Sequence, residues 1–247
     1  GFYAVGEQIF KCWIYDKGGH GLVDLKNGFA QSCNGYFIQM GIGLGAERVL
    51  KTAKDFGLGS VTGLSAQKIP EYEGMLPRLS ELDGDGNVAN LAMGQGKILI
   101  TPLQAAGMAA IIANGGIRNT FNILDCIVNR DGEIIRDLKT REWQRVISRE
   151  TAKALMEMME ATVEIGTGQK ADIGGYGGSA GKTGSAETGM FEGDRRILHA
   201  WFTGYFPYDE PRYAMCVFVE DGSGGGTSAA PVFAEIAARI MQWEESH

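Results

Sequence analysis

Apolar residues recur at intervals of three and four in four stretches of the chain, and this spacing predicts helices with one buried face. Gly57 ends the first helix. The second opens with Thr101-Pro102, and the third with the cap residue Ser148. The fourth begins near Ser228. The predicted inward positions of the first, third and fourth helices are Val49, Leu50, Ala53 and Phe56; Ala152, Leu155, Met156, Met159 and Val163; and Phe233, Ile236, Ala237 and Ile240.

Strand patterns lie later in the chain. The stretch "ILDCIVNRDGEIIRDL" predicts a hairpin that turns at Asp131-Gly132. The runs "LHAWFTGYF" and "RYAMCVFVE" are joined by the turn "PYDEP" and predict a second antiparallel pair. The segment around Lys182 is predicted to be a third strand of the same sheet. Helices first and antiparallel strands later favour an α+β fold, with a mainly helical part at 1–120 and a sheet with flanking helices at 121–247.

The run "YAMCVFV", Tyr213–Val219, is almost continuously apolar, which is typical of a strand buried on both faces. Its predicted neighbour on one side is the strand 198–206, and the Lys182 strand should pair on the far side of that neighbour. The other edge of Tyr213–Val219 is then left without a partner in this chain. Because an uncovered apolar edge invites pairing with another chain, we expect self-association or a foreign strand there.

Composition narrows the class of protein. Hydrophobic residues make up 44% of the chain and charged residues 21%, as in ordinary globular proteins, and the net charge of −7 argues against nucleic acid as a partner. The four cysteines match no zinc or redox spacing, so we interpret them as free buried thiols and leave a disulfide open. Only three histidines are present, and we predict no metal centre and no cofactor.

The loop "LSELDGDGNVAN" carries Asp83, Asp85 and Asn87 at the spacing of the first three calcium-loop positions. Val88 stands where that loop needs glycine, and Gly94 where it needs glutamate. We therefore interpret this stretch as a polar turn and not as a calcium site.

Lys182-Thr183-Gly184-Ser185 places one lysine and two hydroxyl side chains on a predicted strand. Alternation directs Lys182 and Gly184 to one face and Thr183 and Ser185 to the other. Because Gly184 has no side chain, a ligand can lie close along the strand, and an extended peptide can add to its edge. Taken alone, the motif K-T-G is short and recurs by chance.

Ser32-Cys33-Asn34 lies between two stretches that are apolar enough to be helical, "VDLKNGFAQ" and "GYFIQMGIGLG". A serine hydroxyl and an asparagine amide two residues apart can face one site across a loop. The alternative is a helix N-cap, a position that both residue types favour.

An S-x-N element followed far downstream by K-T-G-[ST] resembles the active-site set of penicillin-binding proteins and serine β-lactamases. Further stretches occur in the order of that family: "GGHGLVDLKNGFAQSCNGYF", "FGLGSVTGL", "GMLP", "NLAMGQGKILITPLQAAGMAAIIANGG", "GTGQKA", "AGKTGSAE" and "GSGGGTSAAPVF". Over nearly its whole length the chain is similar to the transpeptidase domain of class B penicillin-binding proteins, and it looks closest to elongation and sporulation enzymes of Gram-positive bacteria.

The resemblance implies D,D-transpeptidation in cell-wall synthesis, on the outer side of the cytoplasmic membrane. In that reaction a serine attacks the D-Ala-D-Ala bond of a stem peptide, an amine of a second peptide takes the acyl group, and β-lactams acylate the same serine. Ser32 would relay a proton, Asn34 would hold the donor peptide's amide, and Lys182 would supply positive potential. Thr183 and Ser185 would flank the terminal carboxylate, with the Ser185 N–H as an oxyanion donor.

The resembled family carries its nucleophile in an S-x-x-K motif at a helix start, upstream of S-x-N. Ser65-Ala-Gln-Lys68 fits this spacing, but it follows Ser32 in the chain and runs into Ile69-Pro70, where a helix should begin. We reject it for both reasons. The expectation is therefore that the nucleophile is absent from these 247 residues, that they are a truncated piece of a transpeptidase domain, and that this piece alone is inactive.

Two alternatives stay open at this point. One is a non-catalytic module that binds peptidoglycan peptides or β-lactams, and the other is a D,D-carboxypeptidase or β-lactamase of the same fold. Gly94-Gln95-Gly96 is interpreted as a tight turn before Thr101, with a site-lining role as the alternative. His20, in "GGHG", is expected to brace the Ser32 loop and not to act in catalysis.

Overall fold

The computed structural model of the chain describes residues 1–138 and 143–247, apart from the side chains of Ser65 and Ala66. About 41% of the residues are helical and 23% lie in strands, which confirms the α+β class. The chain opens with an antiparallel hairpin and continues with helices. The bounds are β1 (Phe2–Val5), β2 (Gln8–Lys11), α1 (Leu25–Ala30), α2 (Asn34–Leu44), α3 (Ala46–Asp55), α4 (Asp85–Ala92) and α5 (Pro102–Ala113).

A connecting region of short strands follows α5. Strand β3 (Ile117–Asn119) pairs with β6 (Trp143–Arg145), and β4 (Cys126–Val128) pairs with β5 (Ile134–Asp137). The second pair is the predicted hairpin. Its turn holds Gly132 at a φ of 85°, a left-handed conformation that glycine adopts without strain. The remaining elements are α6 (Arg149–Glu164), β7 (Ala180–Glu192), β8 (Arg195–Phe206), β9 (Tyr213–Val219) and α7 (Ala230–Glu245).

The predicted helix starts at Thr101 and Ser148 are confirmed. Thr101 and Gln104 form a reciprocal capping box, and the Ser148 hydroxyl accepts from Thr151 N at 3.1 Å. Gln104 also donates through Nε2 to the carbonyls of Ser60 and Glu73, at 2.8 Å each. This buried amide therefore starts α5 and at the same time ties two preceding loops to it.

The main sheet has the order β7-β8-β9 and is antiparallel throughout, so the predicted order is confirmed. Helix α7 covers one face, where the ring of Phe233 meets Phe202 and Phe206 at centroid distances of 4.7 and 5.7 Å. Helices α5 and α6 cover part of the other face around Tyr205 and Met159. Full burial of each such side chain stabilises the fold by about 1.5–3 kcal/mol, so the sheet is fixed from both sides.

Two predictions about burial and helix position are wrong. In α7 the buried residues are Ala230, Phe233, Ala237 and Met241, three or four positions apart, whereas Ile236 is 39% exposed. The stretch 79–90 is not only a turn, because α4 begins at Asp85. Its N-cap is Gly84, at a φ of 84°. The sequence did not predict this helix because the two glycines in "DGDG" are typical of a turn. The start of the helix is nevertheless stabilised by an acidic residue in its first turn, Asp85. None of the described helices is long and apolar enough to cross a bilayer.

Strand β9 pairs with β8, and within the described ranges no other strand ladders against it. The predicted burial on both faces is wrong: Val217 is buried, and the other six residues are half-buried. A groove of about 1120 Å³ runs beside the start of β9 and is lined by residues of α5, the β3 region and Pro211–Ala214. The open edge therefore faces a space large enough for another extended segment.

Candidate active site

Ser32 and Lys182, 150 positions apart, meet in the fold. Lys182 Nζ donates a hydrogen bond to Ser32 Oγ, and it also donates to the Thr183 carbonyl at 3.1 Å. The S-x-N turn of the helical part and the K-T-G strand of the sheet thus face each other across one cleft.

The turn that carries Ser32 is held in an unusual conformation. Ser32 has a φ of 53°, the left-handed region that non-glycine residues seldom adopt. Ser32 N donates to Phe29 O, and Cys33 N donates to Gly28 O at 2.8 Å, so the reversal between α1 and α2 is closed by main-chain bonds. Strain of this kind persists only where the surroundings fix it, and here it directs the Ser32 hydroxyl at Lys182.

The segment after α6 clamps this turn from a second side. Thr167 N donates to Ala30 O at 3.1 Å, and Gln31 Nε2 donates to Ile165 O at 2.8 Å. Gly166 lies against the same turn, and a Cβ there would stand 2.2 Å from Ala30 O. The close approach of the two backbones therefore requires glycine at 166.

Strand β7 holds the K-T-G-S residues as the alternation predicts. Thr183 Oγ1 lies 2.5 Å from Thr167 Oγ1, and Ser185 Oγ accepts from Gly225 N at 3.1 Å. Both hydroxyl side chains thus lie toward the two glycine-containing loops, while Lys182 reaches toward the helical part. A Cβ on Gly225 would stand 2.6 Å from Gly184 O, so this loop packs directly on the strand.

The ammonium group of Lys182 is held in a partly desolvated pocket. Its Nζ lies 5.7 Å from the centre of the Phe29 ring, in cation–π range, and 3.5 Å from Thr183 Oγ1. Burial lowers the pKa of Lys182 to about 8. At neutral pH the group remains a cation, but it loses its charge a little above that.

Asn34 is oriented by a main-chain partner. It begins α2, and its Nδ2 donates to Lys11 O at 3.1 Å. This bond fixes the amide plane against the end of β2. Cys33 is the N-cap and makes no capping bond with its side chain. Asn34 is therefore the first residue of the helix and not its cap.

Gln95 extends the cleft on the far side. Gly94 and Gly96 have φ values of 72° and 83°, so the tight turn is confirmed. The Gln95 side chain nevertheless reaches β7, where Nε2 donates to Ser185 O at 3.2 Å. The turn interpretation is confirmed, and the site-lining role stays a prediction. The sequence carries no signal for this contact, because its acceptor is a main-chain atom.

Cys12, His20 and Cys33 come together beside the Ser32 turn. Their ligand atoms all lie within 4.8 Å of one another, Cys12 Sγ is 3.2 Å from His20 Nδ1, and His20 Nε2 is buried without a recorded partner. Two sulfurs and an imidazole are a donor set that could hold Zn²⁺. Spacing along the chain did not reveal this cluster, since its members come from three separate segments. No disulfide joins any of the cysteines, which are free as predicted, although Cys12 alone is fully buried.

The sequence holds two S-x-x-K matches, and the first, at Ser65, lies on a short 3₁₀ turn and not at the start of an α-helix. Lys68 is exposed, with a φ of 64°, at the end of the short 3₁₀ turn Leu64–Gln67; the Ser65 side chain lies outside the described residues. Ser179-Ala-Gly-Lys182 also fits the spacing. There Ser179 is buried and donates to Ala171 O at 2.6 Å. Positions three apart on the entry to a strand lie on opposite faces, so Lys182 cannot serve Ser179 as a base.

The site combines a free strand edge with one lysine and three hydroxyl side chains. The outer edge of β7 has main-chain acceptors, a lysine and two hydroxyl side chains lie along it, and a third hydroxyl stands opposite at Ser32. A strand edge can pair with an extended peptide, and a cation with hydroxyl donors can hold its carboxylate.

The chain is similar to known proteins over nearly its whole length. Residues 1–238 match the family model described as the penicillin binding protein transpeptidase domain. The chain is 31% identical over 264 aligned positions to the peptidoglycan D,D-transpeptidase MrdA of Haemophilus influenzae, covering 98% of this chain and 39% of that protein. It is 33% identical to the stage V sporulation protein D of Bacillus subtilis, covering 96% of this chain and 36% of that protein.

Solved structures agree with the family match. The crystal structure of penicillin binding protein 3 from Mycobacterium tuberculosis superposes with a TM-score of 0.83 at 29% identity, covering 99% of this chain and 56% of that one. The same protein complexed with ampicillin gives the same TM-score. The chain thus spans between a third and a half of the curated relatives' length, 39% and 36% in the two cases above.

Proposed function

Because the chain belongs to the penicillin-binding protein transpeptidase family, we propose that it supplies the peptide-binding side of a peptidoglycan D,D-transpeptidase. The observation that carries the proposal is the contact of Lys182 with Ser32 beside the free edge of β7. The mainly helical part, 1–120, and the part that contains the sheet, 121–247, together form one partial domain. The cleft lies between these two parts. The cleft accepts a stem peptide ending in D-Ala-D-Ala, or a β-lactam in its place.

The proposed reaction is acyl transfer. A serine attacks the carbonyl of the penultimate D-Ala, the bond to the terminal D-Ala breaks, and an amine of a second peptide then displaces the serine. Ser32 passes a proton to the departing amine and accepts one from the attacking amine. Lys182, as a cation, stabilises the negative charge that develops in the cleft, and the Ser185 N–H is one donor to the oxyanion.

Recognition of the peptide divides between main chain and side chains. The extended backbone pairs with the free edge of β7. Contrary to the expectation from the sequence, the absent side chain of Gly184 makes room for Trp201 of β8, since a Cβ there would stand 3.2 Å from Trp201 Cβ. Thr183 and Ser185 flank the terminal carboxylate, and Asn34, held by Lys11 O, contacts the amide of the donor peptide. A carboxylate between a cation and hydroxyl donors forms charge-assisted bonds, which are roughly twice as strong as neutral ones.

We propose that these 247 residues alone do not acylate. The S-x-x-K match at Ser65 lies on a short 3₁₀ turn, and the one at Ser179 has a buried serine that donates to Ala171 O. The second candidate function, a module that binds the peptide without cleaving it, is favoured by the same observation. A hydrolytic role, as a D,D-carboxypeptidase or β-lactamase, has no observation of its own in its favour.

The cell-wall substrate places the proposed activity on the outer side of the cytoplasmic membrane. A further partner is proposed at the open edge of β9, where a second copy of the chain or a foreign strand pairs with the unladdered residues.

The test of the proposed function is binding of diacetyl-L-Lys-D-Ala-D-Ala to the chain by calorimetry. Lys182→Met should weaken binding at least tenfold, because the carboxylate loses its cation. Lys153→Met, the same change on exposed α6, is the control, and it should leave binding unchanged. Equal binding by all three proteins, or no binding by the parent chain, would overturn the proposal.

A further inference from the structure

The acceptors along the free edge of β7 are occupied by side chains of this chain itself. Gln95 Nε2 donates to Ser185 O, at 3.2 Å, and Lys182 Nζ donates to Thr183 O, at 3.1 Å. Residues two apart on a strand direct their main-chain groups to the same edge, so both carbonyls belong to the edge that an extended peptide would use. The proposed binding strand is capped before a peptide arrives.

We propose that Gln95 is a displaceable cap, whose amide leaves Ser185 O when an extended peptide binds and a peptide N–H takes its place. The inference rests on the proposed function, since it concerns the same strand edge. It assigns Gln95 as a positioning residue that sets which peptides enter, and not as a group that contacts the reacting atoms.

The surroundings of Gln95 let its side chain move while its backbone stays. Gln95 N donates to Asn90 O at 2.9 Å, which ties the turn to the end of α4, and the flanking Gly94 and Gly96 set the turn. The side chain is only half-buried, and it has three rotatable bonds. Release of the cap therefore needs no change in the fold of the loop.

The two caps differ in how firmly they are held. Lys182 Nζ has a second bond, to Ser32, and it keeps that bond if it gives up Thr183 O. The recorded partner of the Gln95 amide nitrogen is Ser185 O, in an exposed position. The cap at Ser185 is thus the weaker one, and it is the one that a ligand displaces first.

The exchange is one amide donor for another at the same acceptor. A peptide with an N–H opposite Ser185 replaces the hydrogen bond that Gln95 gives up. A ligand without that N–H either leaves Ser185 O unpaired or leaves Gln95 in place. Gln95 therefore favours ligands that present an amide N–H at this position over ligands that present an ester or a tertiary amide.

The experiment titrates the full 247-residue chain with diacetyl-L-Lys-D-Ala-D-Ala and with its forms methylated at one amide nitrogen at a time. Gln95→Met keeps the length of the side chain without its donor, and Gln95→Ala removes the side chain. Both should lower the Kd for the parent peptide about fivefold, which is about 1 kcal/mol. For the peptide methylated at the N–H that meets Ser185, this gain should disappear. Gln242→Met, on α7, is the matched control and should change neither Kd.

Weaker binding by both Gln95 variants would mean that Gln95 holds the peptide directly, and equal binding would mean that it plays no part; either result overturns the cap. These results leave the proposed function intact, because the parent chain still binds. If the parent chain and all variants fail to bind any of the peptides, both the proposed function and the proposed role of Gln95 are wrong. Circular dichroism of each variant verifies that the comparison is made between folded proteins.

Discussion

Lys182 Nζ donates to Ser32 Oγ across 150 positions of the chain. The bond joins the turn between α1 and α2 to the edge strand of the sheet, and with the bond from Gln95 to Ser185 O it connects the helical part to β7. The same lysine is desolvated and lies over Phe29. Its charge is thus available in the cleft only over a limited range of pH.

Binding of a carboxylate ligand should weaken as pH rises through 8. Because burial lowers the pKa of Lys182 to about 8 from 10.5, the cation is present below pH 8 and is lost above it. The Kd of diacetyl-L-Lys-D-Ala-D-Ala should be flat from pH 6 to about 7.5 and then rise up to tenfold per pH unit. Calorimetry in matched buffers measures this profile.

Lys182→Met should bind weakly at every pH in that series and show no such rise. Lys153→Met should keep the profile of the parent chain. If the Kd of Lys182→Met rises with pH as that of the parent chain does, the group that titrates is not Lys182.

Gly166→Ala should loosen the turn that carries Ser32. A Cβ at 166 would stand 2.2 Å from Ala30 O, so the two backbones must separate. We expect a loss of about 1–3 kcal/mol in the free energy of unfolding and at least tenfold weaker peptide binding. Urea denaturation and calorimetry measure the two effects.

Gly175→Ala is the matched control, since a Cβ there meets nothing within 4 Å. It should change neither quantity. If Gly166→Ala were as mild as this control, the clamp between Ala30 and the segment after α6 would not be holding the cleft.

Phe233→Ala should destabilise the whole fold. Phe233 is fully buried and contacts Phe202 and Phe206 in the core between the sheet and α7. The expected loss is about 3–5 kcal/mol in the free energy of unfolding. Phe191→Ala makes the same change at a residue that is 59% exposed and lies over Arg196, and it should cost less than about 1 kcal/mol. Comparable losses in the two variants would mean that α7 does not form the core of the sheet.

The sequence predicted the sheet order and most helices, because periodicity and caps report local energetics. It also singled out Ser32 and Lys182, because the short motifs that contain them can be found directly in the sequence. It did not assign the contact of Gln95 or the clamp at Ala30, because their acceptors are main-chain carbonyls that any residue would supply. The predicted burial of Ile236 in α7 was wrong. The buried face of that helix continues from Ala237 to Met241 instead.

Benzylpenicillin should form no covalent adduct with the 247-residue chain. Of the two S-x-x-K matches, Ser65 lies on a short 3₁₀ turn and Ser179 is buried and donates to Ala171 O. Intact-mass measurement after incubation should show the unmodified mass. A stoichiometric increase that vanishes in Ser65→Ala would show that our rejection of Ser65 was wrong. An increase that vanishes in Ser32→Ala would instead make Ser32 the nucleophile.

The open edge of β9 should make the chain associate with itself as its concentration rises. Its main-chain groups have no second strand within the described ranges, and a groove lies beside Tyr213. Analytical ultracentrifugation from micromolar to millimolar concentration should show a rising average mass. Amide exchange in β9 should slow in parallel, while that of the exposed hairpin β4–β5 should not change. A constant monomer mass with unprotected β9 amides would contradict this prediction.

The clamp between Ala30 and Thr167 also sets an order in time. The two residues are 137 positions apart, and a ribosome adds about 5–20 residues per second. The Ser32 turn is therefore synthesised roughly 7–27 s before the segment that fixes it, at those rates. During that interval the strained φ of Ser32 has nothing from α6 to hold it, and the segment 25–33 is free to adopt other conformations. The clamp forms only after the segment around Thr167 has been made, so a nascent chain that is still shorter than this lacks the clamp.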